Sequence, residues 1–249
     1  MSDYKRFEDL KFEDFRRMAN DPSLSRYEKI GFPDSYRAGK EAAIWQDIVA
    51  KLPSLLSPGK LVLDVGPGCS ELPSMLIDLC REKGHTLLLV DSAEMLAQLP
   101  DEPFIEKHPG IYPGCPDLIE RYRERVDVLL SYSVLHYVFT EGNVWSFLDA
   151  SLGLLAHGGE MLLGDIPNVS KRRRFFATPA GAAYHRAFTG RNEDPQVVFN
   201  QVEQGAIDDA VIFGLLQRAR SAGFDSHVVP QAPDLPMANR REDILIRRP

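Results

Sequence analysis

Apolar residues come in short unbroken runs through the middle of the chain and at helical spacing between those runs. Leu61–Val65 and residues 87–90 are apolar stretches of strand length, the first containing Asp64 and the second followed by Asp91. Such runs predict strands buried on both faces of a parallel sheet. Between them Leu72, Met75, Leu76 and Leu79 repeat at helical spacing, with Ser70 as a cap, Pro73 in the first turn and Gly84 as a stop. Further strands are predicted at 104–106, 126–131, 160–165, 226–229 and 243–246. Helices are predicted at 93–99, 117–125, from Thr140 to the Gly158-Gly159 pair, at 175–188 and at 208–222. The segment from His108 to Gly114 is too rich in proline and glycine for regular structure. Alternating strands and helices give an α/β fold.

Ahead of the first strand the pattern changes. Phe7, Leu10, Phe12, Phe15 and Met18 recur at roughly helical intervals up to Asp21-Pro22, and 38–52 forms a second helix with Ile44, Trp45 and Ile48 on its apolar side. Between them lies an aromatic and polar segment, 25–37, made irregular by Gly31 and Pro33. This segment is either a packing arm or a lid over a site. The division is therefore an N-terminal helical arm, 1–57, and a main domain, 58–249, with an insertion at about 168–200.

At 249 residues, 44% hydrophobic and 26% charged, the chain has the composition of a globular protein of one α/β domain with additions. A net charge of −7 argues against a nucleic-acid surface. Cys69, Cys80 and Cys115 lack metal or disulfide spacing, and no apolar run reaches membrane-spanning length. The expectation is a reduced cytoplasmic protein without a metal site or a membrane partner.

The β-turn-α-β unit ending in Asp91 is a nucleoside-binding arrangement, its carboxylate accepting the ribose hydroxyls. Glu71 opposes a dinucleotide, because a carboxylate at a helix N-terminus repels a pyrophosphate. The string Asp64-Val-Gly66-Pro67-Gly68-Cys-Ser70, followed by Asp91, resembles motif I and the acidic motif of class I S-adenosylmethionine (SAM) methyltransferases, with Ser70 where many members carry a third glycine. The resemblance implies a seven-stranded Rossmann-like sheet with its last strand antiparallel, and SAM as cofactor with S-adenosylhomocysteine as product. Gly66, Pro67 and Gly68 would receive the methionine part, Asp64 would meet its ammonium, and Asp91 and Ser92 would serve the ribose side. Ser131 would lie at the cofactor edge and Tyr112, with Ile111, against the adenine.

Other candidates follow from position. Arg37 could pair with the methionine carboxylate, and Tyr27 and Tyr36 could line an acceptor pocket. Ser131, Tyr132, Ser133 and His136 leave the carboxyl end of the fourth strand, where ligands bind in open α/β sheets. His136 is a candidate general base or a structural histidine. Asp165 could hold an acceptor hydroxyl or an amine, or only lead an Asx turn. Lys171-Arg-Arg-Arg174 is either a solvated run or a phosphate grip, and the loop carrying Asn239, Arg240 and Arg241 returns toward the ligand side. Together these point to methyl transfer to a small molecule, with a sugar or nucleotide-sugar hydroxyl as the lead acceptor. The alternatives are N-methylation of a small amine and a non-catalytic SAM-binding subunit.

Overall fold

The computed structural model describes residues 5–7 and 9–249; Asp3 and Tyr4, from the charged N-terminal stretch, lie outside them. Seven strands form one sheet: β1 (Leu61–Val65), β2 (Thr86–Asp91), β3 (Ile105–Pro109), β4 (Val126–Tyr132), β5 (Leu155–Pro167), β6 (Asp225–Val229) and β7 (Arg241–Arg247). Their order is β3-β2-β1-β4-β5-β7-β6. Strands β1 to β5 run parallel, and β7 is antiparallel to both β5 and β6. The fold is the seven-stranded α/β arrangement expected from the pattern.

The period of two along each strand divides the core between two faces. In β1, Leu63 joins the layer with Phe147, Leu163 and Leu215, while its neighbour Val62 joins the layer with Ile48, Leu76 and Leu87. The first layer is covered by α8 (Val144–Leu154) and α11 (Asp209–Ser221), the second by α3 (Glu41–Lys51) and α4 (Glu71–Lys83). All of these strand and helix residues are fully or nearly fully buried.

Several boundaries differ from the expectation, each for a local reason. Strand β3 continues through His108 and Pro109; β3 is an edge strand, where a missing ladder donor is tolerated. The helix expected from Thr140 to Gly158-Gly159 is two helices, α7 (Leu135–Glu141) and α8, parted at Gly142. Asn143 restarts the second by accepting from the Trp145 and Ser146 amides at 3.0 and 3.1 Å. That helix ends at Leu154, and β5 then runs on for 13 residues. The helix expected at 175–188 likewise divides into α9 (Val169–Phe176) and α10 (Pro179–Thr189), because Thr178 caps a new helix with Pro179 in its first turn.

In the N-terminal arm, α1 (Phe12–Ala19) leaves Phe7 and Leu10 outside it, and the second helix begins at Glu41. Segment 25–37 is not regular throughout, but it closes with a single turn, α2 (Asp34–Arg37). Arg16 of α1 forms a two-pronged ion pair with Glu94 at 3.0 and 2.7 Å, which fastens the arm to α5 (Ala93–Leu96), just beyond β2.

Candidate active site

Beyond the carboxyl ends of β1, β2 and β4 lies a cavity of about 410 Å³, within the range of small-molecule and cofactor sites. Its floor is the turn after β1. Gly66 and Gly68 have φ of +74° and +64°, the left-handed region that glycine enters without a steric penalty. A Cβ on Gly66 would come within 2.5 Å of Val134 Cγ2, and one on Gly68 within 2.6 Å of Ile30 Cγ2. The floor is therefore made of bare backbone, pressed between the β4 turn and the N-terminal arm.

Asp91 stands at the end of β2 and lines the cavity. Its Oδ2 accepts from the Gly68 amide at 3.0 Å and its Oδ1 from the Ser92 amide at 2.7 Å. Burial raises its pKa to about 6, against the opposing pull of those two amides. The carboxylate is thus ionised at neutral pH and already held in place.

One end of the cavity is apolar. Tyr112 meets Phe147 edge-on at a centroid distance of 5.2 Å, and its hydroxyl is tied to Ser151 Oγ at 3.1 Å. With Ile111 these rings form an apolar wall of the cavity. The opposite end carries Arg37, Glu41 and Ser133. Phe12, Phe15, Ile30 and Phe32 close the site from above. Phe15 is edge-on to Tyr137 at 5.0 Å, so the arm is seated on α7. The N-terminal segment thus both packs against the main domain and borders the cavity.

Arg37 is 4% exposed. Its guanidinium lies 4.3 Å from the Phe32 ring centre, and Nη2 donates to Ser133 Oγ at 2.8 Å. Nη2 is also 3.6 Å from Asp165 Oδ2, which Arg241 approaches at 2.9 Å. Ser133 Oγ donates to that same carboxylate oxygen. Ser133 and Asp165 both hold positive φ, 63° and 58°, and non-glycine residues rarely do so. The strain sits where β4 and β5 end, fixed by the Ser133 amide on Gly164 O and the Asp165 amide on Asp243 Oδ1.

This network corrects three expectations. Asp165 does not line the main cavity and faces two arginines, so it holds the arm and β7 together and offers no open carboxylate to an acceptor. The Arg240 side chain instead donates to Tyr184 on α10, and Arg241, the next residue and the first of β7, reaches Asp165. His136 is outside the cavity lining and packed at a tilt against Tyr137, and its Nδ1 is buried without a hydrogen-bond partner. Burial, reinforced by the Arg241 charge, drives its pKa to about 3, too low for an effective general base.

Other candidates are placed differently from the expectation or are already engaged. Asp64 is buried in β1 and does not border the cavity; burial, then the Asp91 charge, pushes its carboxyl up to about 8. Ser92 caps α5 through the Met95 amide, and Ser131 Oγ ties β4 to Val65 O. Tyr27 is buried against Glu71, and Tyr36 lies with Tyr132 around a much smaller void. Tyr132 also lines the main cavity, as do Pro67 and the two glycines flanking it. The basic run has partners throughout. Arg174 pairs with Asp209, Arg172 and Arg173 with Glu203, and Lys171 donates to Arg241 O.

Glu41 and the arm phenylalanines line the cavity but were not singled out as site residues from the sequence. For Glu41 a signal existed: Glu41, Ile44 and Ile48 fall on one helical face, and a carboxylate on an apolar stripe calls for a partner. Among the described residues no group of His, Cys, Asp and Glu has the arrangement of a metal site.

No family model matches the chain, and no curated protein matches it. Solved structures do. The N-methyltransferase NodS from Bradyrhizobium japonicum, in complex with S-adenosylhomocysteine, is 13% identical with a TM-score of 0.57, over 96% of this chain and 98% of that one. The CurJ carbon methyltransferase is 15% identical with a TM-score of 0.54, over 95% of this chain; the chain spans 64% of its length. Geranyl diphosphate C-methyltransferase from Streptomyces coelicolor, also with S-adenosylhomocysteine, is 13% identical with a TM-score of 0.51, over 93% of this chain and 87% of that one. These likenesses establish the class I methyltransferase fold.

Proposed function

We propose that the protein is a SAM-dependent methyltransferase acting on a small molecule. The observation that carries this reading is the cavity itself. Within a methyltransferase fold it combines a bare-glycine floor, a preformed carboxylate at the end of β2, an apolar wall at Tyr112 and a polar end at Arg37. These are the features that an amino acid joined to a nucleoside requires. SAM would supply an electrophilic methyl group for in-line displacement. The chain would supply alignment and exclusion of water: Asp91 holds the ribose, Tyr112 and Phe147 flank the base, and the arm phenylalanines cover the reacting region.

A dinucleotide fits poorly. The N-terminus of α4 carries Glu71 as its first residue, and the Leu72 amide already donates to Glu41 Oε2 at 2.7 Å. A pyrophosphate would have to displace one carboxylate and sit beside another.

For the acceptor, the covered site supports a hydroxyl of a sugar or a comparable small molecule. The engagement of Lys171 to Arg174 removes the reason to require a nucleotide handle, and the engagement of Asp165 removes the cation partner that an amine acceptor was expected to use. Unphosphorylated hydroxyl acceptors therefore come first in a test, with amines in parallel. No helix among the described residues is long and apolar enough to cross a membrane, and the three unpaired cysteines suit a reducing, cytoplasmic setting. The direct test is transfer of isotope-labelled methyl from SAM across hydroxyl and amine panels. Labelled product on a hydroxyl supports the lead reading, and product on nitrogen reassigns the acceptor. Cofactor binding with both panels silent favours a non-catalytic binding subunit.

A further inference from the structure

Glu41 is a buried carboxylate with one oxygen unpartnered. It is 1% exposed, it lines the cavity, and it takes part in no ion pair among the described residues. Oε2 accepts from the Leu72 amide at 2.7 Å, so Glu41 caps α4 in place of Ser70, whose side chain makes no capping bond. Oε1 is buried with no hydrogen-bond partner. An ionised carboxylate in that position, beside an apolar stripe, is costly unless a cationic donor completes it.

The strand order says which donor. The apolar wall of Tyr112 follows β3, Asp91 ends β2, and Gly66 to Gly68 follow β1, next to β4 and Ser133. A nucleoside with its base at Tyr112 and its ribose at Asp91 therefore directs its 5′ substituent over β1 toward Arg37 and Glu41. Those two residues are four apart in the arm, and both are buried. One is a guanidinium and the other an incompletely partnered carboxylate. On the reading of the cofactor proposed above, we infer that Glu41 binds the α-ammonium of its methionine part, with Arg37 available to the α-carboxylate. The N-terminal arm thereby recognises the amino-acid end of the ligand, the role expected of Asp64 from its place in the motif. Oε1 is the oxygen left for a ligand while Oε2 keeps the cap on Leu72.

The test compares two thioethers that differ in the amino-acid part, S-adenosylhomocysteine and 5′-methylthioadenosine. Both are titrated calorimetrically into the wild-type protein and into Glu41→Gln. Glutamine keeps an oxygen for the Leu72 amide but removes the charge. The expected result is a loss of about tenfold or more for S-adenosylhomocysteine, as befits a charge-assisted hydrogen bond, with methylthioadenosine within about twofold of wild type. Parallel losses for both ligands, or no loss for either, overturn the assignment. Should Glu41→Gln melt far below wild type, Glu41→Asp serves instead. It keeps the charge and shortens the reach, and the same selective loss is expected. Wild-type binding of methylthioadenosine without any gain for S-adenosylhomocysteine rejects the amino-acid clamp and leaves the nucleoside site standing. Binding of neither rejects the cofactor reading itself.

Discussion

Asp64 is buried and Asp91 half-buried, and their surroundings lead them to different behaviour. Asp91 receives two backbone amides and has a pKa of about 6, whereas Asp64 lies in β1 and is held near 8. Asp91→Ala is therefore expected to weaken SAM binding tenfold or more in calorimetry, and unchanged affinity would remove Asp91 from the ribose. Wild-type affinity should also fall as pH drops through about 6, where Asp91 becomes protonated. For Asp64 the folded pKa lies above the ordinary carboxylate value, so folding takes up a proton. Its contribution to stability declines as pH rises from about 4 to about 8, by roughly 1.4 kcal/mol per unit. Between pH 5.5 and 8.5 the wild type should lose on the order of 3 kcal/mol through this group. Asp64→Asn should lack that component in urea unfolding at the two pH values. Equal declines in the two proteins would contradict the assignment. Asp91 was legible in the sequence because a carboxylate ending a strand after a glycine turn has few other uses. Glu41 showed only as a carboxylate on an apolar stripe, because its partner is an amide 31 positions away.

At the scale of elements, the glycine floor and the arm depend on each other. Gly68→Ala places a methyl against Ile30 and forces alanine into φ of +64°. The expectation is a loss of stability of about 1–2 kcal/mol with weakened SAM binding. Adding Ile30→Ala should recover part of it, since the steric contact is relieved while the backbone strain stays. No recovery in the double variant, measured by chemical unfolding and calorimetry, would mean that the arm does not rest on the floor. The strands and α4 were visible in the hydrophobic pattern because their register is imposed locally. The breaks at Gly142 and Thr178 were harder to place. A helical apolar pattern continues across each, while the capping oxygens of Asn143 and Thr178 make a restart favourable.

Across the whole molecule, Asp165 joins three distant parts of the chain: Arg37 from the arm, Ser133 at the end of β4 and Arg241 at the start of β7. Asp165→Asn leaves the buried Arg37 and the partly buried Arg241 without their shared counter-charge. Unfolding should become easier by about 3–5 kcal/mol, in contrast with Arg174→Ala, whose half-exposed ion pair with Asp209 should contribute less than about 1 kcal/mol. Similar, small effects for the two variants would show that the network does not hold the arm in place. Long-range closure of this kind leaves little trace in a linear pattern. Arg240 and Arg241 are adjacent and chemically alike, and only the register of β7 directs one to Tyr184 and the other to Asp165.

The most direct measurement is calorimetric titration of the purified protein with SAM, S-adenosylhomocysteine and NAD in parallel. Saturable binding of the first two with no heat from NAD is the expected result. Binding of NAD without the other two would contradict it, and the turn from Gly66 to Gly68 would then belong to a dinucleotide site.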